Sequence, residues 1–128
     1  MKYLLDTHLL LWLAEGSASR NVRKIVESAT AELYFSAASI LEVAIKNKLN
    51  RADFQVDPHV LRRGLSDNGY MELPINSLHA AYVVNLDEHH KDPIDRLLIA
   101  QATVEGITLL TSDATIARYS SSPISLVK

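Results

Sequence analysis

Four acidic residues stand where carboxylates can meet. Asp6 follows the apolar pair Leu4-Leu5, and Asp113 follows Leu109-Leu110 by way of Thr111-Ser112. If both apolar runs are parallel central strands, the two carboxylates lie at the same rim of one sheet. Glu42 sits beside the apolar stripe of Ala38, Ile45 and Leu49 on a helix that starts near Ala37. Asp95 opens a helix that is apolar on nearly every side, with Ile94, Leu97, Leu98, Ile99, Ala100 and Ala102. Such a helix is buried, and an inward carboxylate on it needs a partner or it neutralises. Carboxylates crowded on one rim repel unless a cation sits among them. No comparable set of basic residues is interleaved with them, and Arg96 points away from Asp95 around the helix. Magnesium and manganese take hard oxygen ligands and keep several waters. The matching chemistry is metal-assisted phosphodiester hydrolysis, with Asp6 as the acid best placed to bridge if two ions bind.

Each acid also has a plainer role. Asp6 and Asp113 fit helix N-caps, Glu42 fits a half-solvated position at the margin of its helix face, and Asp92 with Asp95 resembles a capping box. Both sets of roles stay open on spacing alone. The histidines, His8, His59, His79, His89 and His90, show no metal-ligand spacing apart from the adjacent pair, which reads as surface loop. Trp12, Tyr34 and Tyr82 read as core by default.

The elements that must position these acids alternate in type. Strands are expected over residues 2–5, 33–35, 70–73, 107–110 and 124–127. Helices are expected over 9–13, about 21–31, 37–49, from Pro58 to near Asn68-Gly69, from Asn76 or Ser77 to Val84, from Pro93 to Gly106, and briefly after Asp113. The Ser120-Ser121-Ser122 run reads as a turn. This order predicts a three-layer α/β/α sandwich with a mostly parallel central sheet and its site at the carboxyl ends of the strands.

The bulk properties agree with one domain over residues 1–128. A chain of 128 residues with 48% hydrophobic residues can bury a core without staples. It has no cysteine, which excludes disulfides and thiolate metal sites and is compatible with the cytoplasm. The opening Met-Lys-Tyr-Leu-Leu-Asp does not read as a signal peptide, and no stretch approaches the ~20 apolar residues of a membrane helix. The formal net charge of −2 argues mildly against a general nucleic-acid binder. Acids committed to a metal weaken that argument. Lys46, Lys48 and Arg51 cluster after one helix and Arg62 and Arg63 sit on the next, which leaves a local basic patch open, although each reads first as an ordinary solvated face.

These residues together resemble a family. Met1–Leu13 with Leu-Leu-Asp-Thr-His, Ser36–Lys48 with Ile-Leu-Glu-Val, Asp92–Ala102 reading Asp-Pro-Ile-Asp-Arg-Leu-Leu-Ile-Ala-Gln-Ala, and Thr108–Asp113 reading Thr-Leu-Leu-Thr-Ser-Asp are similar to the motifs of PIN-domain proteins. Order and spacing match the VapC-like toxins of bacterial toxin–antitoxin pairs over the whole chain. The resemblance implies a PIN fold and an endoribonuclease dependent on Mg2+ or Mn2+. It also implies an RNA substrate, a homodimer and a cognate antitoxin protein. It places the catalytic and metal-binding acids at Asp6, Glu42, Asp95 and Asp113. Asp95 is preferred to Asp92 because it precedes Leu-Leu-Ile-Ala as the family's acid does. Asp92, Thr7, Thr111 and Ser112 then fall into supporting places.

Two rivals are weighed against this reading. A non-catalytic binding module of the same fold would use the acids as caps or as a docking surface. A receiver or phosphatase of similar layout would need a lysine after a late strand or a second Asp two residues after the first. Here His8 holds the second place, no lysine follows Leu110, and there is no glycine-rich phosphate loop.

Overall fold

The computed structural model describes residues 1–88, 92–119 and 121–128. The adjacent His89-His90 pair and the first serine of the 120–122 run therefore lie outside the described residues. Five strands form one sheet: β1 (Lys2–Leu5), β2 (Glu32–Ser36), β3 (Met71–Leu73), β4 (Thr108–Thr111) and β5 (Ile124–Leu126), in the order β3-β2-β1-β4-β5. Every pairing is parallel. The helices are α1 (Thr7–Glu15), α2 (Arg20–Val26), α3 (Ala37–Lys48), α4 (Pro58–Asp67), α5 (Ser77–Tyr82) and α6 (Pro93–Glu105). Short 3-10 turns occupy Val83–Asn85 and Ile116–Arg118.

Side-chain alternation along the central strands divides the core into two layers. Leu4 and Leu109 point to one face, where Leu98 and Ile99 of α6 meet Ile116 and Tyr119. Leu5 and Leu110 point to the other face, against Leu9, Leu10, Val22, Phe35, Leu61 and Leu65. Helix α3 contributes Ala38 to the first layer and Val43 to the second. The expected three-layer sandwich is therefore present, with its sheet parallel throughout.

Most helix boundaries follow from caps. Ser19, Ser36, Asp57 and Asp92 accept backbone N–H bonds at the starts of α2, α3, α4 and α6. Asn76 and His79 form a reciprocal capping box on α5. Gly106 ends α6 at φ 68°, a left-handed conformation that costs glycine little. One expected helix is shorter than its apolar spacing predicts: α2 ends at Val26, not at Ala31. Ser28 and Thr30 hydrogen-bond each other at 3.1 Å, and the Ala31 amide turns back to the Ser28 carbonyl. Short polar side chains compete with helical backbone bonds in this way.

Helix α6 was expected to be apolar nearly all round, yet two polar residues on it are buried. Gln101 accepts from Ser36 Oγ and donates to Leu73 O at 3.3 Å, fixing α6 to the ends of β2 and β3. Arg96 is only 8% exposed. Its guanidinium donates to Asp87 O at 2.8 Å, Val83 O at 3.0 Å and the Tyr119 hydroxyl at 3.2 Å. Residue 96 thus anchors the segment leading into the helix that carries Asp95. Arg96→Met removes these bonds and leaves carbonyls poorly paired, which costs about 2–3 kcal/mol. Denaturant unfolding of the variant against the parent checks this.

Candidate active site

The sheet order reverses between β1 and β4, because the chain runs β1 to β3 outward on one side and adds β4 and β5 on the other. Open parallel sheets leave a crevice at the carboxyl ends of the strands at such a reversal. Leu5 is in register with Leu110, and the Asp6 amide donates to Leu110 O at 3.1 Å. Asp6 therefore stands beside Thr111 at the mouth of that crevice.

Asp6 is 2% exposed. Its Oδ1 accepts from the Leu9 amide at 2.9 Å, which makes it the N-cap of α1. Its Oδ2 accepts from the Thr111 hydroxyl at 2.5 Å. Thr111 Oγ1 in turn accepts from the Asp113 amide at 3.0 Å. One hydroxyl thus holds the second oxygen of one acid and the backbone of the other. Asp113 Oδ1 accepts from the Thr115 amide at 2.8 Å, so Asp113 shapes the turn after β4. Ser112, between them, accepts from Lys128 Nζ at its carbonyl at 2.9 Å.

Burial pushes the Asp6 carboxyl above the ordinary carboxylate range. The Thr111 hydroxyl, the Leu9 amide and the charge of His8 oppose that push, while the nearby Asp113 adds to it. The two strand-end acids are thus close enough to feel each other.

Thr7 carries the site across to α3. It is buried, and its hydroxyl donates to Ser39 Oγ at 2.9 Å. Ser39 precedes Glu42 by three residues of the helix, about 4.5 Å along the axis. The Glu42 side chain is 12% exposed, and Oε2 pairs with Lys46 Nζ at 3.0 Å. Its other oxygen, Oε1, is buried and has no hydrogen-bond partner among the described residues. Lys46 is a single cation beside one of these acids, where the sequence predicts no comparable set of basic residues interleaved with them. The Glu-to-Lys spacing of four residues was the signal for it. Ser39 carried no such signal, because its partner Thr7 is remote in sequence.

Asp95 lies half-buried in the first turn of α6. Asp92 caps that turn through Ile94 N at 2.9 Å and Asp95 N at 3.4 Å. A right-handed crossover into β4 starts such a helix at the carboxyl rim. Direct bonds therefore join Asp6, Thr111 and Asp113, and Thr7 links them to the helix of Glu42. Asp95 belongs to the same end of the sheet through α6. Among the described residues, no three acidic or histidine side chains form a ready-made metal cluster. The donor set nonetheless fits a hard divalent cation. It offers a desolvated carboxylate and a buried carboxylate oxygen that lacks a partner.

An open groove of about 1210 Å³ lies between α1, the end of α3 and α4, and the four acids do not line it. Trp12, Phe54, Leu61 and Tyr70 line it, and it reaches His8 and Lys46. His8 is two residues from Asp6, and Lys46 is the partner of Glu42. The spacing of the sequence did not reveal this groove.

A PIN domain family model matches residues 3–121 of the chain. No curated protein matches it. Among solved structures, VapBC2 from Rickettsia felis bound to a promoter DNA fragment is similar at a TM-score of 0.74 and 13% identity, covering 98% of each chain. FitAcB from Neisseria gonorrhoeae is similar at a TM-score of 0.66 and 17% identity, covering 95% of each chain. A toxin–antitoxin complex from Klebsiella pneumoniae gives a TM-score of 0.62 at 21% identity, covering 88% of this chain and 87% of that one. These likenesses establish the fold.

The raised Asp6 value has a testable sign. A folded-state acid held above its unfolded value binds its proton more tightly when folded. Stability therefore falls as pH rises from the ordinary carboxylate range through the folded value. Asp6→Asn removes that penalty. In metal-free buffer the variant gains stability relative to the parent as pH rises from about 4 to 7, against an ordinary carboxylate range near 3.9. Chemical unfolding of both proteins across that pH range checks it.

Proposed function

Because the chain belongs to the PIN domain family, we propose that it is an endoribonuclease dependent on Mg2+ or Mn2+ and the toxin of a toxin–antitoxin pair. The observation that carries this reading is the buried Glu42 Oε1, unpartnered among the described residues, on the helix that Ser39 and Thr7 tie to the turn after desolvated Asp6. Both groups are poorly matched to a protein without a cation and well matched to one with it. The likeness to solved toxin–antitoxin complexes supports an antitoxin partner for this chain.

Asp6, Glu42, Asp95 and Asp113 would hold the cation. A bound ion supplies an activated water and stabilises charge at the scissile phosphate. The protein's own part is to keep the ligands in place. Thr111 orients Asp6 Oδ2 and fixes the Asp113 backbone. Thr7 ties the turn after β1 to α3. Asp92 caps the helix that presents Asp95, and Ser112 spaces Thr111 from Asp113. The groove lined by His8 and Lys46, neighbours of Asp6 and Glu42 respectively, would take an RNA strand, with Trp12 and Tyr70 as surfaces on which bases stack.

Leu41, Ile45 and Leu49 form an exposed apolar stripe on α3, which supports assembly as a homodimer or with the antitoxin. Among the described residues no helix is long and apolar enough to cross a membrane, and the proposed site of action is the cytoplasm.

A second reading has its own observation. Asp6 and Asp92 are helix caps and Asp113 caps a turn, as a non-catalytic binding module would use them. Cleavage of a mixed RNA pool separates the two. The purified protein is expected to cut with Mg2+ or Mn2+ and to stop with chelator. Asp6→Asn and Asp95→Asn are each expected to lower the rate by about two orders of magnitude or more while remaining folded. Cutting that survives both substitutions, or no cutting with either metal, favours the binding module.

A further inference from the structure

We propose that Lys46 is an exchangeable counter-ion, which neutralises Glu42 in the metal-free protein and passes to a phosphate of the RNA once a divalent cation takes Glu42. The inference rests on the reading of Glu42 as a metal ligand. Lys46 Nζ lies 3.0 Å from Glu42 Oε2, whereas Oε1 is buried and unpartnered among the described residues. Half of this carboxylate is therefore satisfied by a monovalent charge, and the other half is left for something else.

The surroundings of the two side chains differ. Glu42 is 12% exposed and held within the fold, while Lys46 is 39% exposed and lines the groove. Its ammonium also sits 5.8 Å from the centre of the Phe54 ring. This contact supports a cation outside the pair. A divalent ion on Oε1 would lie within a few ångströms of the ammonium. At that distance like charges repel strongly, and more so in a partly desolvated site. The group that yields is the flexible, half-exposed lysine. Its four-carbon stem then carries the charge into the groove, where an RNA backbone needs cations. The chain carries a net charge of −2, so such cations must be locally placed.

The alternative is an ordinary i,i+4 helix pair with no part in binding. The two accounts differ in sign. Calorimetric titration with Mn2+ alone, on the parent, Lys46→Met and Lys46→Arg proteins, is the first readout. Exchange predicts that Lys46→Met binds Mn2+ roughly three- to tenfold more tightly, because the competing charge is gone. Steady-state RNA cleavage is the second readout. Lys46→Met should raise KM several-fold with a smaller change in kcat, and Lys46→Arg should restore KM. If parent and Lys46→Met both bind Mn2+ equally and cut alike, exchange is wrong and the nuclease reading stands. Weaker Mn2+ binding by Lys46→Met would also overturn exchange and make Lys46 a fixed strut for Glu42. If the parent itself neither binds Mn2+ nor cuts, both readings fail together.

Discussion

The Thr111 hydroxyl serves two acids at once. It donates to Asp6 Oδ2 and accepts from the Asp113 amide, at the point where the sheet order reverses. This arrangement depends on the register between β1 and β4. Shifting β4 by one residue would turn Leu109 and Leu110 to the wrong layers and point the threonine away from Asp6. The hydrophobic pattern that selects the two core layers therefore also fixes the geometry of the site. Asp6 stays buried between them despite the cost of desolvating a carboxylate.

Capping and ligation are compatible uses of these carboxylates. A carboxylate has two oxygens and about four lone-pair sites. Asp6 spends Oδ1 on the Leu9 amide and Oδ2 on Thr111, and each oxygen retains a further lone pair. Capping locks the side chain in one orientation, which is what a ligand needs. Glu42 is oriented differently, by a neighbouring lysine one turn along its own helix. That leaves Oε1 directed by the Lys46 pair and the helix, with no hydrogen bond of its own among the described residues.

Much of this was readable from residue order. The apolar pairs Leu4-Leu5 and Leu109-Leu110 identified central strands, and the Pro58, Pro93 and Gly106 signals bounded two helices to within a residue or two. The Asp6 and Asp113 placement followed from those strands. Local rules failed where a contact is remote in sequence. Thr7 with Ser39, Ser36 with Gln101, and Arg96 with Tyr119 are pairings that periodicity cannot show. Periodicity does not show the burial of Arg96 and Gln101, because polar residues on an apolar helix are ordinarily assigned to its solvated side. The end of α2 was misplaced because Ala29 continued an apolar stripe that Ser28 and Thr30 had already broken.

The central claim is that buried Asp6 belongs to a cation site. The most direct measurement is the thermal midpoint of the purified protein with and without saturating Mn2+, beside Asp6→Asn under the same conditions. Ligands that bind only the folded state raise the midpoint, by an amount that grows with the logarithm of their concentration over Kd. The account predicts a clear rise for the parent and little or none for Asp6→Asn. An equal rise in both proteins, or none in the parent, would contradict it.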